Sequence, residues 1–177
     1  MVVRRVDFEQ AKALVVCSSQ AGRDLMAQVL FGLGFGTVAR CDSAGTAQAH
    51  CAAHLVDLVL CDGELPGTDG YDLIAWLRRS RLEPNSVAPV IMLSAHTPPS
   101  KVGKARDCGA NFVVAKPVAP GVLLDRILWI AKEARPYITC KAYVGPERRF
   151  AEHGPPASGE RRQDRLAVAG LNEEAAA

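Results

Sequence analysis

Short apolar runs alternate with helix-like segments along most of the chain, and this alternation limits the possible folds more than any other feature. Continuous apolar runs are typical of strands that are buried on both faces of a sheet. Five segments are predicted as strands, at residues 13–17, 37–41, 58–61, 89–93 and 111–114, and each is followed by a helical pattern or by a turn that leads into one. Five successive βα units predict an α/β fold with a doubly wound parallel sheet and right-handed crossovers.

The same pattern predicts the helices. After a first helix that ends at Gly34, we expect helices over about residues 46–55, 71–79, 100–108 and 120–134. The last helix is expected to bury six apolar side chains, those of Val122, Leu123, Ile127, Leu128, Ile130 and Ala131. In parallel sheets, functional groups collect at the carboxyl ends of the strands. Those ends carry Cys17 and Ser18, Asp62, Ser94 and Ala95, and Lys116 and Pro117.

Composition argues against several classes of function. The formal net charge of +2 is too small to predict bulk attraction to DNA or to an anionic membrane. No apolar run reaches the roughly 18 uncharged residues that a membrane span requires, and residues 1–10 mix both signs of charge instead of forming a signal-peptide core. We therefore expect a cytoplasmic protein. The six cysteines are far apart and lack CxxC spacing, which predicts mostly buried, reduced thiols.

Four sequence features agree in order and spacing with one known family. They are Leu60-Cys61-Asp62, the loop Leu65-Pro66-Gly67 with Asp69-Gly70, the run from Pro89 to Ala95, and Lys116-Pro117. Together they resemble the CheY-like receiver domain of bacterial response regulators, over residues 12–135. The resemblance implies a flavodoxin-like sheet with the strand order 2-1-3-4-5.

The resemblance also implies roles for the residues at the strand ends. Asp62 would accept a phosphoryl group, the Ser94 hydroxyl would contact that group, and Lys116 would pair with its charge. The backbone carbonyl group of Glu64 would face a magnesium ion. A second interpretation stays open, in which Asp62 is a retained strand-end residue that forms an ion pair with Lys116 and is not phosphorylated.

The first strand departs from the family pattern. Receivers normally end this strand with two adjacent acidic residues, and here Cys17 and Ser18 stand in their places. Magnesium is held by oxygen ligands, and phosphoryl transfer depends on such a cation to neutralise developing charge. We therefore expect magnesium binding to be weak or absent, with Asp62 and the side chain of Glu64 as candidate ligands. Cys17 and Cys61 should be neighbours on adjacent strands, but two sulfur atoms alone make a poor zinc site.

The fifth strand departs from the pattern as well. The family's aromatic switch position falls on Val113, and Phe112 stands one place earlier. Because side chains alternate along a strand, we expect Phe112 to point to the other face of the sheet. The aromatic switch that normally transmits the signal in this family is therefore not expected to operate in its ordinary form.

Residues 136–177 form a predicted arginine-rich tail that a receiver domain does not need. Two Glu-Arg-Arg triplets, at 147–149 and 160–162, make an imperfect internal repeat. Arginine offers a planar pair of donors that can bind a phosphate or a guanine edge and can stack on a ring. Arg161 and Asp164 form an RxxD pattern, in which the arginine can meet guanine N7 and O6 while the carboxylate accepts from the Watson–Crick edge.

The RxxD pattern resembles a guanine-binding motif of proteins that bind cyclic di-GMP. A receiver-like domain with an arginine-rich C-terminal extension resembles the Cle group of CheY-like cyclic di-GMP effectors. This resemblance implies that the tail, disordered or ordered by ligand, binds the dinucleotide. The receiver part would then engage the flagellar motor switch, at the flagellar pole, and affect motility and surface attachment. The expected ligand-binding residues are Arg148, Arg149, Arg161, Arg162, Asp164 and Arg165, with Tyr143 and Phe150 as ring faces.

Other functions remain open at this point. The chain could be a phosphorylation-controlled single-domain response regulator, or a ligand-free pseudo-receiver adaptor whose tail binds protein or RNA. The tail could also be a solvated appendage that only favours solubility. We do not expect an enzyme, because the sequence shows no credible pair of nucleophile and base and no Gly-rich phosphate-binding loop.

Overall fold

The computed structural model describes residues 7–132, 136–140 and 142–147, and the backbone of residues 167 and 168. Strands and helices alternate along the first of these ranges, as predicted. The strands are β1 (Lys12–Val16), β2 (Thr37–Cys41), β3 (Leu58–Asp62), β4 (Val90–Ser94) and β5 (Phe112–Ala115). The helices are α1 (Gln20–Gly32), α2 (Ala44–Ala53), α3 (Gly70–Arg79), α4 (Pro99–Cys108) and α5 (Pro120–Lys132), and a short 3-10 helix at Asn85–Val87 precedes β4.

The five strands form one parallel sheet with the order β2-β1-β3-β4-β5, which confirms the predicted topology. The register places Val16 opposite Cys61, and Asp62 opposite Leu93. Because all the strands run in one direction, the carboxyl ends of β1, β3, β4 and β5 meet at one edge of the sheet. The residues singled out at the strand ends are therefore brought together by the fold.

Short polar side chains begin three of the helices. Ser19 accepts a hydrogen bond from the Gly22 amide at the start of α1, and Asp69 accepts one from the Tyr71 amide at the start of α3. Ser43 and Thr46 form a reciprocal capping box at the start of α2. Each cap satisfies amide groups that have no partner within the first turn of a helix, so these side chains fix where the helices begin.

Helices cover both faces of the sheet. On one face, α2, α3 and α4 bury a cluster that includes Cys51, Ile74 and Met92. On the other, α1 and α5 bury Leu30, Leu123 and Ile127 against β1, β3 and β4. Within the described residues, no helix is long and apolar enough to cross a membrane.

The prediction for the buried face of α5 was partly wrong. Leu123 and Ile127 are buried, but Val122 is exposed and so is Ala131. The reason for Val122 is geometric, because residues i and i+4 share one face of a helix and the face that meets the sheet is set by Leu123 and Ile127. Ala131 lies on that same face, but it is in the last turn of α5 and is exposed there. Leu128 and Ile130 lie at the margin of that face and are half-buried.

All six cysteines are free thiols, and five of them are buried: Cys17, Cys41, Cys51, Cys61 and Cys108. This confirms the prediction made from their spacing. Burial raises the pKa of Cys51 and that of Cys108 to about 11, so both thiols stay protonated at neutral pH. They act as small apolar side chains of the core.

The chain beyond α5 contains a β-hairpin that packs on the receiver-like body. Strand β6 (Tyr137–Thr139) pairs in antiparallel fashion with β7 (Val144–Pro146), and β8 (Ala167–Val168) pairs with the other edge of β6. The hairpin lies at the amino-terminal ends of the main strands, near the start of β4 and the α4–β5 loop. The first part of the predicted tail, residues 136–140 and 142–147, is thus folded against the body, whereas the whole tail was expected to be disordered or ordered by ligand.

A buried arginine anchors this hairpin. The side chain of Arg78 donates to the carbonyl oxygens of Gly109, Ser86 and Ala88 at 3.0, 2.9 and 2.7 Å, and to the amide oxygen of Asn111 at 3.4 Å. Its guanidinium lies 5.4 Å from the ring centre of Tyr137, whose hydroxyl donates to the Ser86 carbonyl oxygen. Burial lowers the pKa of Arg78, although an arginine side chain stays charged under ordinary conditions. The cation thus joins the hairpin to the base of the sheet.

Two glycines allow the close approach of the hairpin. Gly109 has a φ of 94° at the end of α4, and a Cβ atom there would lie 2.7 Å from the Val144 carbonyl oxygen. A Cβ atom at Gly145 would lie 2.8 Å from the α-carbon of Gly109. Neither position can carry a side chain without moving the backbone of its neighbour.

Candidate functional site

The carboxyl edge of the sheet holds an ion pair at its centre. Asp62 ends β3 and is 6% exposed. Lys116 follows β5, and its Nζ atom lies 2.6 Å from Oδ1 of Asp62. A buried carboxylate is stable only when a cation or hydrogen-bond donors compensate for the lost hydration, and Lys116 supplies that cation.

Ser94 completes the set of strand-end residues that the sequence singled out. It ends β4, is buried, and lies next to β5, where Ala115 is its partner in the register. Its hydroxyl donates a hydrogen bond to the His96 carbonyl oxygen. The structure therefore brings Asp62, Ser94 and Lys116 to adjoining strand ends, in agreement with the order of the motifs.

Cys17 lies next to this group. It directly follows β1, is buried, and stands opposite Asp62, since Val16 pairs with Cys61 in the register. Its thiol donates to the Ser19 carbonyl oxygen at 3.6 Å. Burial raises the pKa of Cys17, and the hydrogen bond and charge of Asp62 raise it further. A neutral thiol therefore faces Asp62 from the end of the first strand.

A guanidinium lies at the same strand end. Arg23, on α1, donates through Nη1 to the carbonyl oxygens of Cys17 and Ser18, at 2.6 and 2.9 Å. Sequence reasoning missed this residue, because nothing in a helical pattern shows which exposed cation folds back on the preceding strand. The one available signal was its position near the start of α1, six residues after Cys17, from where a long side chain can reach the carbonyl groups at the end of β1.

The Glu64 side chain is held by α4. Nζ of Lys101 lies 2.7 Å from its Oε1 atom, and the hydrogen bond to Lys101 lowers the pKa of Glu64. Lys104, one turn further along α4, pairs with Asp69. Among the residues that the structure describes, no three His, Cys, Asp or Glu side chains are grouped so that they could hold a metal ion. The carboxylates of the β3–α3 loop are thus occupied by lysines of α4.

Tyr71 is a further residue of this edge that the sequence did not reveal. Its ring is buried under Lys104, whose Nζ atom lies 4.9 Å from the ring centre. Its hydroxyl lies beside Gly63, where a Cβ atom would be 3.0 Å away. Burial raises the pKa of Tyr71, so the hydroxyl is a neutral group close to the ends of β3 and β4.

Phe112 and Val113 point to opposite faces of the sheet, as predicted. Phe112 packs with the cluster under α1 and α5, where Trp129 meets its ring edge to face at 5.1 Å. Val113 packs against the cluster under α2, α3 and α4. The residue at the expected switch position is therefore an aliphatic side chain directed toward α4.

The geometry of the strand ends agrees with what comparison with known proteins shows. A family model described as the response regulator receiver domain matches residues 13–128. This chain belongs to the response regulator receiver family.

Curated receivers match this receiver at moderate identity. Chemotaxis protein CheY of Pseudomonas aeruginosa is 29% identical over 66% of this chain and 92% of its own length. The DNA-binding response regulator MtrA of Mycolicibacterium smegmatis is 33% identical over 69% of this chain and 51% of its own. The sensory/regulatory protein RpfC of Xanthomonas campestris is 32% identical over 47% of this chain. The receiver spans about half of MtrA and 11% of RpfC, so only its domain type is shared with them.

Solved structures have the same fold. A putative response regulator from Chloroflexus aurantiacus is 30% identical, with a TM-score of 0.63 over 70% of this chain and 100% of its own. CheY4 of Vibrio cholerae is 24% identical, with a TM-score of 0.62 over 68% of this chain and 98% of its own. This second likeness supports the fold alone. Receivers of this family are signalling modules that act through protein partners.

A groove lies beside the outer strand of the receiver sheet. This α4–β5 groove has a volume of about 450 Å³ and runs between α4, β5 and the end of the C-terminal hairpin. Its apolar lining includes Val102 and Ala105 on α4 and Val113 on β5, and Arg106 and Glu147 are its charged lining residues. Tyr143 and Pro146 also line it, so the hairpin contributes directly to the groove.

Most of the residues predicted to bind a ligand lie outside the described residues. These are Arg148, Arg149, Phe150, Arg161, Arg162, Asp164 and Arg165. Tyr143 lies within them and is 7% exposed, and its hydroxyl donates to the Pro146 carbonyl oxygen at 2.7 Å. Its position supports the hairpin turn, and it presents little ring surface to solvent.

Proposed function

We propose that this receiver is a cyclic di-GMP effector that signals without phosphorylation. Its arginine-rich tail, residues 136–177, binds the dinucleotide. Its receiver domain engages the flagellar motor switch in the cytoplasm at the flagellar pole. Motility and surface attachment are the expected outputs. The observation that carries the proposal is the thiol of Cys17 beside Asp62, at the strand end where magnesium-dependent phosphoryl transfer needs carboxylates.

The charges around Asp62 support independence from phosphorylation. Asp62 is paired with Lys116, the end of β1 is covered by Arg23, and Glu64 is held by Lys101. Magnesium prefers an octahedral set of oxygen ligands, and a thiol is a poor ligand for it. The donor set at this edge does not fit a magnesium ion, so we expect weak binding or none, and no step of the proposed mechanism uses this cation.

The chemistry of the arginine-rich tail supports the ligand. Cyclic di-GMP has two guanines and two phosphates, and Arg161 with Asp164 supplies the two kinds of group that a guanine edge requires. Four further arginines supply paired N–H donors for phosphate and planar groups that can stack on a base: Arg148, Arg149, Arg162 and Arg165. The likeness to CheY of Pseudomonas aeruginosa, whose name is that of a chemotaxis protein, supports a motor-related partner.

The folded hairpin supports coupling between ligand and receiver. The arginines of the tail begin directly after Glu147, whose amide donates to the Pro136 carbonyl oxygen in the hairpin. Residues 144–146 pack against the α4–β5 loop, so these arginines are joined to the receiver by a docked strand. Ligand binding beyond Glu147 can therefore change the free energy of contacts on the receiver.

The proposal is tested by calorimetric titration of cyclic di-GMP, with GTP as a control, into three proteins. They are the full chain, a chain that ends at Glu147 and therefore keeps the hairpin, and the full chain with Arg161→Ala and Arg162→Ala. We expect binding at micromolar or lower concentration by the full chain alone. A full chain that gives no heat, or a shortened chain that binds equally well, would contradict the proposal.

A second function is favoured by one observation. Asp62, Ser94 and Lys116 meet at adjoining strand ends, which is the arrangement that the family uses for phosphorylation. Under this alternative the chain is a phosphorylation-controlled response regulator. Incubation with acetyl phosphate and magnesium, followed by intact-mass measurement of the wild type and of Asp62→Asn, decides the matter. A phosphoryl group on the wild type that Asp62→Asn lacks would support this alternative. A full chain that binds no dinucleotide and accepts no phosphoryl group would indicate a ligand-free adaptor.

A further inference from the structure

The α4–β5 groove is suited to a flat ring. Its volume of about 450 Å³ falls in the range of small-molecule sites, and its lining is mainly apolar, with Val102, Ala105 and Val113 beside Phe112 and Tyr143. A purine base buries two apolar faces and keeps its polar atoms at its edges. An apolar lining with a few polar groups matches that distribution.

The lining of the groove includes both kinds of group that recognise guanine. Arg106, on α4, has an exposed side chain whose Nε atom lies 3.6 Å from the Asp107 carboxylate. Glu147 approaches from the hairpin and is half-buried. An arginine can donate to guanine N7 and O6, and a carboxylate can accept from the donor N–H groups of the Watson–Crick edge. Adenine offers a different edge, so this pair favours guanine.

The covalent path of the chain supports the same ligand. Arg148 and Arg149 follow Glu147 directly, and consecutive α-carbons are about 3.8 Å apart. In the sequence, two arginines thus come directly after a residue that lines the groove. A ligand with two guanines can have one base held by the arginine-rich tail while the other reaches the receiver domain.

We propose that the α4–β5 groove binds one guanine base of the dinucleotide, with Arg106 and Glu147 at its edges. This inference rests on the proposed function and adds a location on the receiver for part of the ligand. It gives binding a direct effect on α4 and β5, because the base contacts Val102 and Val113. Ligand would then be sensed by the folded domain as well as by the arginine-rich tail.

Two matched pairs of variants test the inference in the full chain. Val102→Trp fills the groove from its exposed side, and Val122→Trp is its control, because the two valines are 43% and 42% exposed and Val122 lies on α5. Arg106→Ala removes the arginine of the lining, and Arg79→Ala removes an exposed arginine of α3 outside the groove. We expect Val102→Trp and Arg106→Ala to weaken cyclic di-GMP binding about tenfold, as befits the loss of one good base contact, with the controls unchanged.

A spectroscopic measurement covers the case in which Val102→Trp folds poorly. In the wild-type full chain labelled at valine methyl groups, cyclic di-GMP should shift the signals of Val102 and Val113 and leave that of Val122 in place. Glu147→Gln should reduce the preference for cyclic di-GMP over cyclic di-AMP. If the wild type binds but the two groove variants bind equally well and the methyl signals do not move, the groove inference is wrong while the proposed function stands. If the wild type does not bind cyclic di-GMP, both fail.

Discussion

Nζ of Lys116 lies 2.6 Å from Oδ1 of Asp62, so a cation of the chain itself neutralises a buried carboxylate at the carboxyl edge of the sheet. In this receiver the carboxylate also has a neutral thiol beside it, that of Cys17. The electrostatic balance of the edge is thus maintained by protein groups. The first two predictions follow from that balance.

Replacing Lys116 by Met should leave the Asp62 carboxylate buried without its cation. We expect the free energy of unfolding to fall by about 1–3 kcal/mol, less than for a fully buried pair because the Lys116 side chain is 38% exposed. Urea unfolding at pH 7 measures this loss. Adding Asp62→Asn to Lys116→Met should recover part of the loss, since it removes the unpaired charge. Equal stability of the single and double variants would show that the loss does not come from the unpaired Asp62 carboxylate.

Replacing Cys17 by Asp should restore a carboxylate at the end of β1. Two carboxylates side by side repel each other, so we expect the variant to melt at a lower temperature than the wild type in the absence of divalent cations. Magnesium at millimolar concentration should raise the melting temperature of the variant more than that of the wild type. Cys17→Asn has the same shape without the charge and should not respond to magnesium. A wild type that responds as strongly as Cys17→Asp would contradict the expectation.

Replacing Arg78 by Met should detach the hairpin from the receiver body. The change removes four hydrogen bonds and leaves carbonyl groups buried without donors, so we expect a loss of about 3–5 kcal/mol. Hydrogen exchange of the Ile138 and Gly145 amides should accelerate more than exchange in β3. Arg79→Met, at the exposed neighbouring position, should change stability by less than about 0.5 kcal/mol. Unchanged exchange in the hairpin would rule out Arg78 as its anchor.

Replacing Gly109 by Ala should be costly, whereas the same change at Gly103 should not. A methyl group at Gly109 meets the Val144 carbonyl oxygen, and the backbone there has a φ of 94°. We expect a destabilisation of about 1–3 kcal/mol together with displacement of the hairpin. Gly103 lies within α4 with open space around it, so Gly103→Ala should stabilise the protein by up to about 1 kcal/mol. Thermal unfolding of the two variants makes the comparison, and similar melting temperatures would contradict it.

The stability of the protein should fall as the pH is lowered through the titration range of His50. Burial lowers the pKa of His50, and the neighbouring His54, 4.7 Å away between ring centres, lowers it further. The unfolded chain then binds more protons than the folded protein between the lowered pKa and about 6.5, so stability rises with pH across that window. Urea unfolding from pH 5 to 8 should show this slope, and His50→Gln should reduce it. A slope that is identical in the variant would assign the effect to other groups.

Much of the fold could be predicted because it depends on local patterns. Apolar runs predicted the five strands, of which β1, β3 and β4 are largely buried and β2 and β5 only partly so, and parallel topology brought Asp62, Ser94 and Lys116 to one edge. The opposite directions of Phe112 and Val113 followed from strand alternation alone. Such features need no knowledge of which distant segments meet.

The remaining features depend on long-range contacts that no local pattern encodes. Arg78 looked like an ordinary charged residue at the end of α3, yet its acceptors come from residues 86, 88, 109 and 111. The strands of the hairpin have three residues each, too few for a recognisable period. On α5, a shift of one residue in the assumed face was enough to place Val122 in the core when it is in fact exposed.

The docked hairpin limits which chimeras between this receiver and its relatives can work. A graft of the arginines alone onto another receiver would transfer the groups proposed to bind the ligand. It would lack the residues at the amino-terminal end of the sheet against which the hairpin packs. This docking site consists of the buried guanidinium of Arg78 and of Gly109, whose lack of a side chain lets the backbone at Gly145 approach. A functional chimera would therefore have to include the hairpin and its docking site together.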